Sequence, residues 1–217
     1  MQRLHSALVV ISLTAGCGSV DGGGGPGNPY TGDPAAPAIR STFDSDVEGW
    51  TLQGFNTDKP DYAVDAKLTA PALFDAAGGD PGGACERHET FYGYTDYFAA
   101  PAKFLGDRAA YQGGGLRFEL RRSDPPSAYA APLIILQGGG AGFLYSGGHD
   151  AAATWSAYTV PLDAGAGWTH LDGTTPATAD ELHFALAELT AIWIRGEFVN
   201  GVDDGWLDDV TLAPRSQ

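Results

Sequence analysis

The sequence predicts an all-β protein, an antiparallel β-sandwich of jelly-roll form carrying one short helix. Three observations predict it. From Ser41 onward, short runs alternate apolar and polar residues with a period of two. Glycine, proline and aspartate punctuate those runs, and the chain holds 31 glycines. No strand–helix–strand alternation of the kind that builds parallel sheets is visible.

The elements follow in order. Leu116, Phe118 and Leu120 alternate with Arg117, Glu119 and Arg121, as in a strand with one face on a core. Leu133 to Leu136 is a continuous apolar run, which suits a strand buried on both faces. Tyr158, Val160 and Leu162 alternate again. Thr178 and Glu181 have the spacing of a capping box, and Leu182, Ala185, Leu186 and Leu189 repeat at helical intervals behind it. That helix should cross one end of the sandwich and feed a strand at Ile192 and Ile194. Val210 and Leu212 close the chain. Glycine runs at 113–115, 138–140 and 147–148 mark the turns.

The N-terminus reads as an address. Arg3 precedes the apolar run Ala7 to Leu13, which is too short to span a bilayer. Thr14-Ala15-Gly16-Cys17 then resembles a bacterial lipobox, with Cys17 as the lipidated residue. The alternative is an ordinary signal peptide. Residues 17–40 are rich in glycine and proline and lack apolar periodicity, so they read as a flexible tether. The organisation is therefore a lipoprotein signal peptide over 1–16, a lipidated tether over 17–40 and a β-sandwich over 41–213. The membrane is then a partner through the lipid anchor. Gly18 after the cysteine is compatible with sorting to an outer membrane, at the cell envelope or surface.

Charge and cysteines narrow the function. A net charge of -15 repels phosphate backbones, which excludes nucleic acid as a partner. Two cysteines allow no disulfide framework once Cys17 is lipidated. Cys85 has His88 nearby but no nucleophile signature around it.

Four segments carry a resemblance. Tyr97-Phe98-Ala99-Ala100-Pro101-Ala102-Lys103-Phe104-Leu105-Gly106-Asp107, with Tyr111 following, is one. Leu136-Gln137-Gly138-Gly139-Gly140 is the second. Leu189 to Phe198, with its arginine-glycine pair, is the third, and Gly205 to Leu212 is the fourth. Their order and spacing resemble the laminin IV type A (laminin B) domain. The resemblance implies a fold similar to galactose-binding-like jelly rolls, extracellular placement and no catalysis.

Several residues have chemical options. Asp208 falls in phase with Val210 and Leu212, which aims it inward. The opening Phe43-Asp44-Ser45-Asp46 is similar to that of carbohydrate-binding jelly rolls, whose first and last strands share a calcium. Asp44, Asp46 and Asp208 are therefore candidate ligands of a structural calcium ion. The alternative is that backbone amides or Arg195 satisfy Asp208. Arg195, in an apolar strand, needs carbonyls or a carboxylate such as Glu197 or Asp208. Tyr92 and Tyr94, flanked by glycine, are the aromatic candidates for stacking on a ligand. No HExxH helix, nucleophile elbow, Walker loop or CxxC pair appears. The function expected is a non-catalytic, lipid-anchored adhesion or matrix-type module that binds a surface protein. The alternative is a carbohydrate-binding module, with a glycan as partner. A glycoside hydrolase ranks third, since paired carboxylates are recognised in space rather than in sequence.

Overall fold

The computed structural model describes residues 30–56, 62–123, 129–148, 150–199 and 201–216. The segment expected to be a signal peptide, Cys17 and the first part of the expected tether lie outside the described residues. In chain order the first strands are β1 (Ile39–Ser41), β2 (Thr51–Phe55), β3 (Thr69–Pro71), β4 (Leu73–Gly79), β5 (Gly82–Arg87) and β6 (Thr95–Ala99). Then come β7 (Gly115–Arg122), β8 (Ile134–Gly138), β9 (Ala141–Tyr145), β10 (Ser156–Pro161) and β11 (Thr169–His170). Helix α1 (Ala179–Ala187) leads into β12 (Leu189–Arg195), and β13 (Gly205–Ala213) ends the fold.

Two antiparallel sheets result. One runs β10-β7-β13-β5-β4, with β1 also paired to β13; the other runs β11-β9-β8-β12-β6-β2-β3. This is the jelly-roll sandwich the alternation implied. Leu116, Phe118, Leu207, Val210 and Leu212 of the first sheet share one core with Phe98, Ile134, Leu136, Ile192 and Ile194 of the second. The intervening side chains of the second sheet, Phe55, Tyr97, Ile135, Leu144 and Trp193, form another apolar cluster on its outer face. Tyr62 closes over that cluster, its ring edge-on to Phe55 at 5.6 Å. The continuous apolar run at 133–136 is thus buried on both faces, as its composition requires.

Helix α1 carries the expected capping box. The Glu181 amide donates to Thr178 Oγ1 at 3.3 Å, and the Thr178 amide donates to Glu181 Oε2 at 2.9 Å. Leu182, Ala185 and Leu186 face the core. The helix crosses the end of β8 so closely that a Cβ at Gly138 would lie 2.0 Å from the Ala185 carbonyl oxygen. This end of the sandwich is called the helix pole below.

The tether boundary at residue 40 is corrected by the fold. Strand β1 begins at Ile39, and the amides of Gly32 and Asp33 donate to the carbonyls of Gln112 and Ala110. Tyr30 stacks on His183 of α1 with 3.9 Å between ring centroids. Poor apolar content suggested a free leash. The contacts are instead made by backbone, and they need glycine: a Cβ at Gly32 would lie 2.3 Å from the Ala110 oxygen. At the other end of the chain, Pro214 and Arg215 lie against Gly114. Both ends of the described chain therefore leave at the helix pole.

Candidate functional site

The opposite pole holds a cleft of about 530 Å³. Strand β12 ends there at Arg195, β6 starts there at Thr95, and the segment between β5 and β6 folds over it. Tyr92, Tyr94, Tyr129, Glu89, Glu197 and Asn56 line it. Tyr92 is 87% exposed and Tyr94 37%, and Gly93 between them has φ +82°, which lets the chain turn back tightly. The two tyrosines singled out in the sequence thus share one cleft. Tyr129 donates to Thr95 Oγ1 at 2.9 Å. A second cleft of about 540 Å³, with Ser146, Asp150 and Arg195, adjoins the first across Tyr129 and Ala130.

Beneath the first cleft lies a group of charges built around Arg87 and Asp96, two residues that sequence reasoning missed. Arg87, fully buried at the end of β5, reaches across between the sheets. Its Nη1 donates to Asp96 Oδ2 of β6 at 2.9 Å. Its Nη2 donates to the Asp203 carboxylate and, at 3.0 Å, to the Asp203 carbonyl. Glu89 Oε2 lies 3.9 Å from the same guanidinium. Gly196 leaves room for this arrangement, since a Cβ there would lie 3.0 Å from the Phe98 ring and 3.2 Å from the Arg87 stem.

Glu197 sits over this clasp of Arg87, Asp96 and Asp203 and accepts the Asp96 amide at 2.9 Å. Burial pushes its carboxyl up to about 7. Burial also raises Glu89 and Asp96, against the lowering effect of Arg87. Glu89 Oε2 and Asp96 Oδ1 are buried with no hydrogen-bond partner. Glu89, Asp96, Glu197 and Asp203 thus surround a single guanidinium, so the group is short of positive charge.

Arg195 is met by carbonyls together with a carboxylate, Asp150, whose Oδ1 lies 3.6 Å from Arg195 Nη1. It donates to the oxygens of Glu197 (2.6 Å), Tyr129 (2.7 Å) and Ala131 (3.3 Å). Phe198 and Tyr129 cover its face at 4.5 and 4.8 Å. Asp208 is not its partner, because Asp208 belongs to the other sheet.

Asp208 is buried, but not by the phase that predicted it. Asp208 pairs with Glu119 and Thr211 with Arg117, three steps along β13 against two along β7. This bulge, with Asp209 at φ +47°, breaks the period, so Leu207 and Val210 face the core while Asp208 sides with the outward Glu119. The β4–β5 hairpin covers it instead. Asp208 accepts the Asp80 amide at 3.1 Å and the Asp209 amide at 2.7 Å. Its carboxyl is pushed up to about 6, chiefly by burial, with Asp209 and Glu119 adding to the effect. Asp44 comes to the same hairpin: a Cβ at Gly82 would lie 3.8 Å from Asp44 Oδ1, and one at Gly79 2.7 Å from Asp208 Oδ2. Asp46 accepts the Glu48 amide within its own exposed turn. Among the described residues, no three His, Cys, Asp or Glu side chains converge as a metal cluster.

Cys85 points into the core, and burial pushes its thiol well up. His88 faces out and pairs with Asp204 at 2.5 Å. The two do not form a catalytic pair.

The comparisons agree with one another. The Laminin B (Domain IV) family profile matches residues 97–214. The chain is 28% identical over 180 residues to laminin subunit gamma-1 of Xenopus tropicalis and 32% identical over 189 residues to that of Homo sapiens. Each alignment covers 81% of this chain and 10% of the relative, so the chain spans about a tenth of the length of the curated relatives it matches. Among solved structures, the L4b domain of human laminin alpha-2 has a similar fold, with TM-score 0.62 and 14% identity over 82% of this chain and 98% of that one.

Proposed function

Since the chain belongs to the Laminin B (Domain IV) family, we propose that it is an extracellular, non-catalytic binding module whose ligand is a glycan held in the Tyr92–Tyr94 cleft. The observation that carries this reading is the pair of exposed tyrosine rings beside hydrogen-bonding side chains in a cleft of small-ligand size. The outer face of the larger sheet is already filled by Phe55, Tyr62 and Trp193, so it offers no open platform. A sugar ring can stack on tyrosine while its hydroxyls donate to Glu89 and Glu197. A flat protein surface would use such a cleft less well, which is why sugar binding is preferred here to adhesion through a protein partner.

A glycan array on the full chain tests the reading. Tyr92→Ala and Tyr94→Ala are expected to weaken the best array ligand by about tenfold or more each, the scale of one lost aromatic contact. Melting temperature should not move for Tyr92→Ala, because that ring is solvent-exposed. An empty array combined with capture of a surface protein would return the module to the adhesion reading. Release of shorter sugars by the wild type, but not by Glu197→Gln, would make it a hydrolase.

Two further parts of the proposal concern anchoring and metal. Lipidation at Cys17 would hold the domain at a membrane, and Cys17→Ala is expected to move the protein from the membrane to the soluble fraction. A calcium ion would meet the shortage of positive charge around Asp208. It would draw on Asp44 and Asp208, with backbone carbonyls completing its shell. Millimolar calcium should then raise the melting temperature with concentration. An unchanged melting temperature would remove the metal.

A further inference from the structure

Resting on the sugar-site reading, we propose that the cleft selects an amine-bearing glycan: an amino sugar whose nitrogen is free and protonated rather than acetylated. Among the described residues, no lysine, arginine or histidine lines the cleft, whereas Glu89 and Glu197 both do. Glu89 Oε2 is buried without a donor. Asp96, directly beneath Glu197, has a second oxygen in the same condition. An ammonium group brings three donors and one positive charge, which is what this group of carboxylates lacks. Arg87 meets the need only in part: its Nη atoms donate to Asp96 and Asp203, and Glu89 Oε2 lies 3.9 Å from Nη1, beyond hydrogen-bond reach. Arg195 faces the adjoining cleft, where carbonyls and Asp150 engage it. Tyr92 and Tyr94 add ring faces that attract a cation, whereas Tyr129 already stacks on Arg195. Acidic sugars would meet unpaired carboxylates and a chain of net charge -15.

The test is calorimetric titration of the full chain with a β-1,4-linked glucosamine tetramer and with its fully N-acetylated counterpart, at pH 7, where a share of the free amines is charged and Glu197 can release its proton to pair with them. The free-amine tetramer is expected to bind at least about tenfold more tightly. That preference should vanish in the Glu89→Gln/Glu197→Gln double variant and in Tyr92→Ala. Equal or reversed affinities in the wild type would overturn the inference, and this comparison needs no variant to fold. A preference surviving both variants would also overturn it, since it would reflect general attraction to an acidic surface. If neutral glycans bind through Tyr92 while the amine makes no difference, only the amine selectivity falls. If no oligosaccharide binds, or only a lysine-rich peptide does, the sugar site falls with it.

Discussion

Arg87→Leu is expected to destabilise the domain by about 3–5 kcal/mol, read as a lower urea midpoint with an unchanged slope. The guanidinium is fully buried and joins a carboxylate of the second sheet to one in the segment before β13. Leucine fills part of the space but leaves Asp96 and Asp203 charged, dry and facing one another. The cost is the desolvation of those partners, more than the loss of the contacts themselves. A second replacement checks this cause: Asp96→Asn in the Arg87→Leu background should recover part of the loss, because one uncompensated charge is gone. Arg87→Lys should fall between, keeping charge but losing the planar fork that serves two partners at once. A loss under about 1 kcal/mol for Arg87→Leu would mean that the clasp is not formed in solution.

The second large effect is on pH. Stability should fall as pH rises from about 5 to 8, by about 2 kcal/mol. Glu197, at about 7 against an ordinary 4.5, and Asp208, at about 6 against 3.8, both hold a proton in the folded state where the unfolded chain has released it. Their contribution is complete below the ordinary carboxylate range and is lost as pH climbs through those two values. His88, raised by its bond to Asp204, acts in the same direction. Asp172 and Glu181 act in the opposite sense, because hydrogen bonds from Thr175 and Thr178 hold them low. Their contribution is lost as pH falls into the carboxylate range, so stability should peak at mildly acidic pH. Urea titrations across this range read the effect directly. Glu197→Gln should flatten the upper limb, and a profile level from pH 5 to 8 would contradict the shielding of Glu197.

The sandwich was legible because its signals are local. Alternation in β7 and β12, the apolar run of β8 and the capping box of α1 each follow from a few adjacent residues. The exposure of Tyr92 and Tyr94 was legible for the same reason, since Gly93 stands between the two rings. The clasp was harder, because its members come from β5, β6 and two loops. A signal existed nonetheless. Arg87 is in phase with core-facing Cys85, and Asp96 with core-facing Phe98, the same rule that picked out Asp208. At Asp208 the rule reached the right burial for the wrong reason, since one extra residue in β13 reverses the face and no local pattern announces a bulge. The docking of 30–40 was illegible because the chain's own backbone makes it, with little side-chain pattern to read.

Both ends of the described chain lie at the helix pole, which gives the domain a handle and a mouth on opposite sides. Gly32 is bonded to Gln112 while Pro214 lies against Gly114, so the two leads emerge almost side by side. Any polypeptide joined to them would pull from one place, with the domain hanging from it like a pendant. Lengthening either lead changes how far the cleft reaches without turning it back toward its support. Neighbouring domains can be added at the handle without casting a shadow on Tyr92.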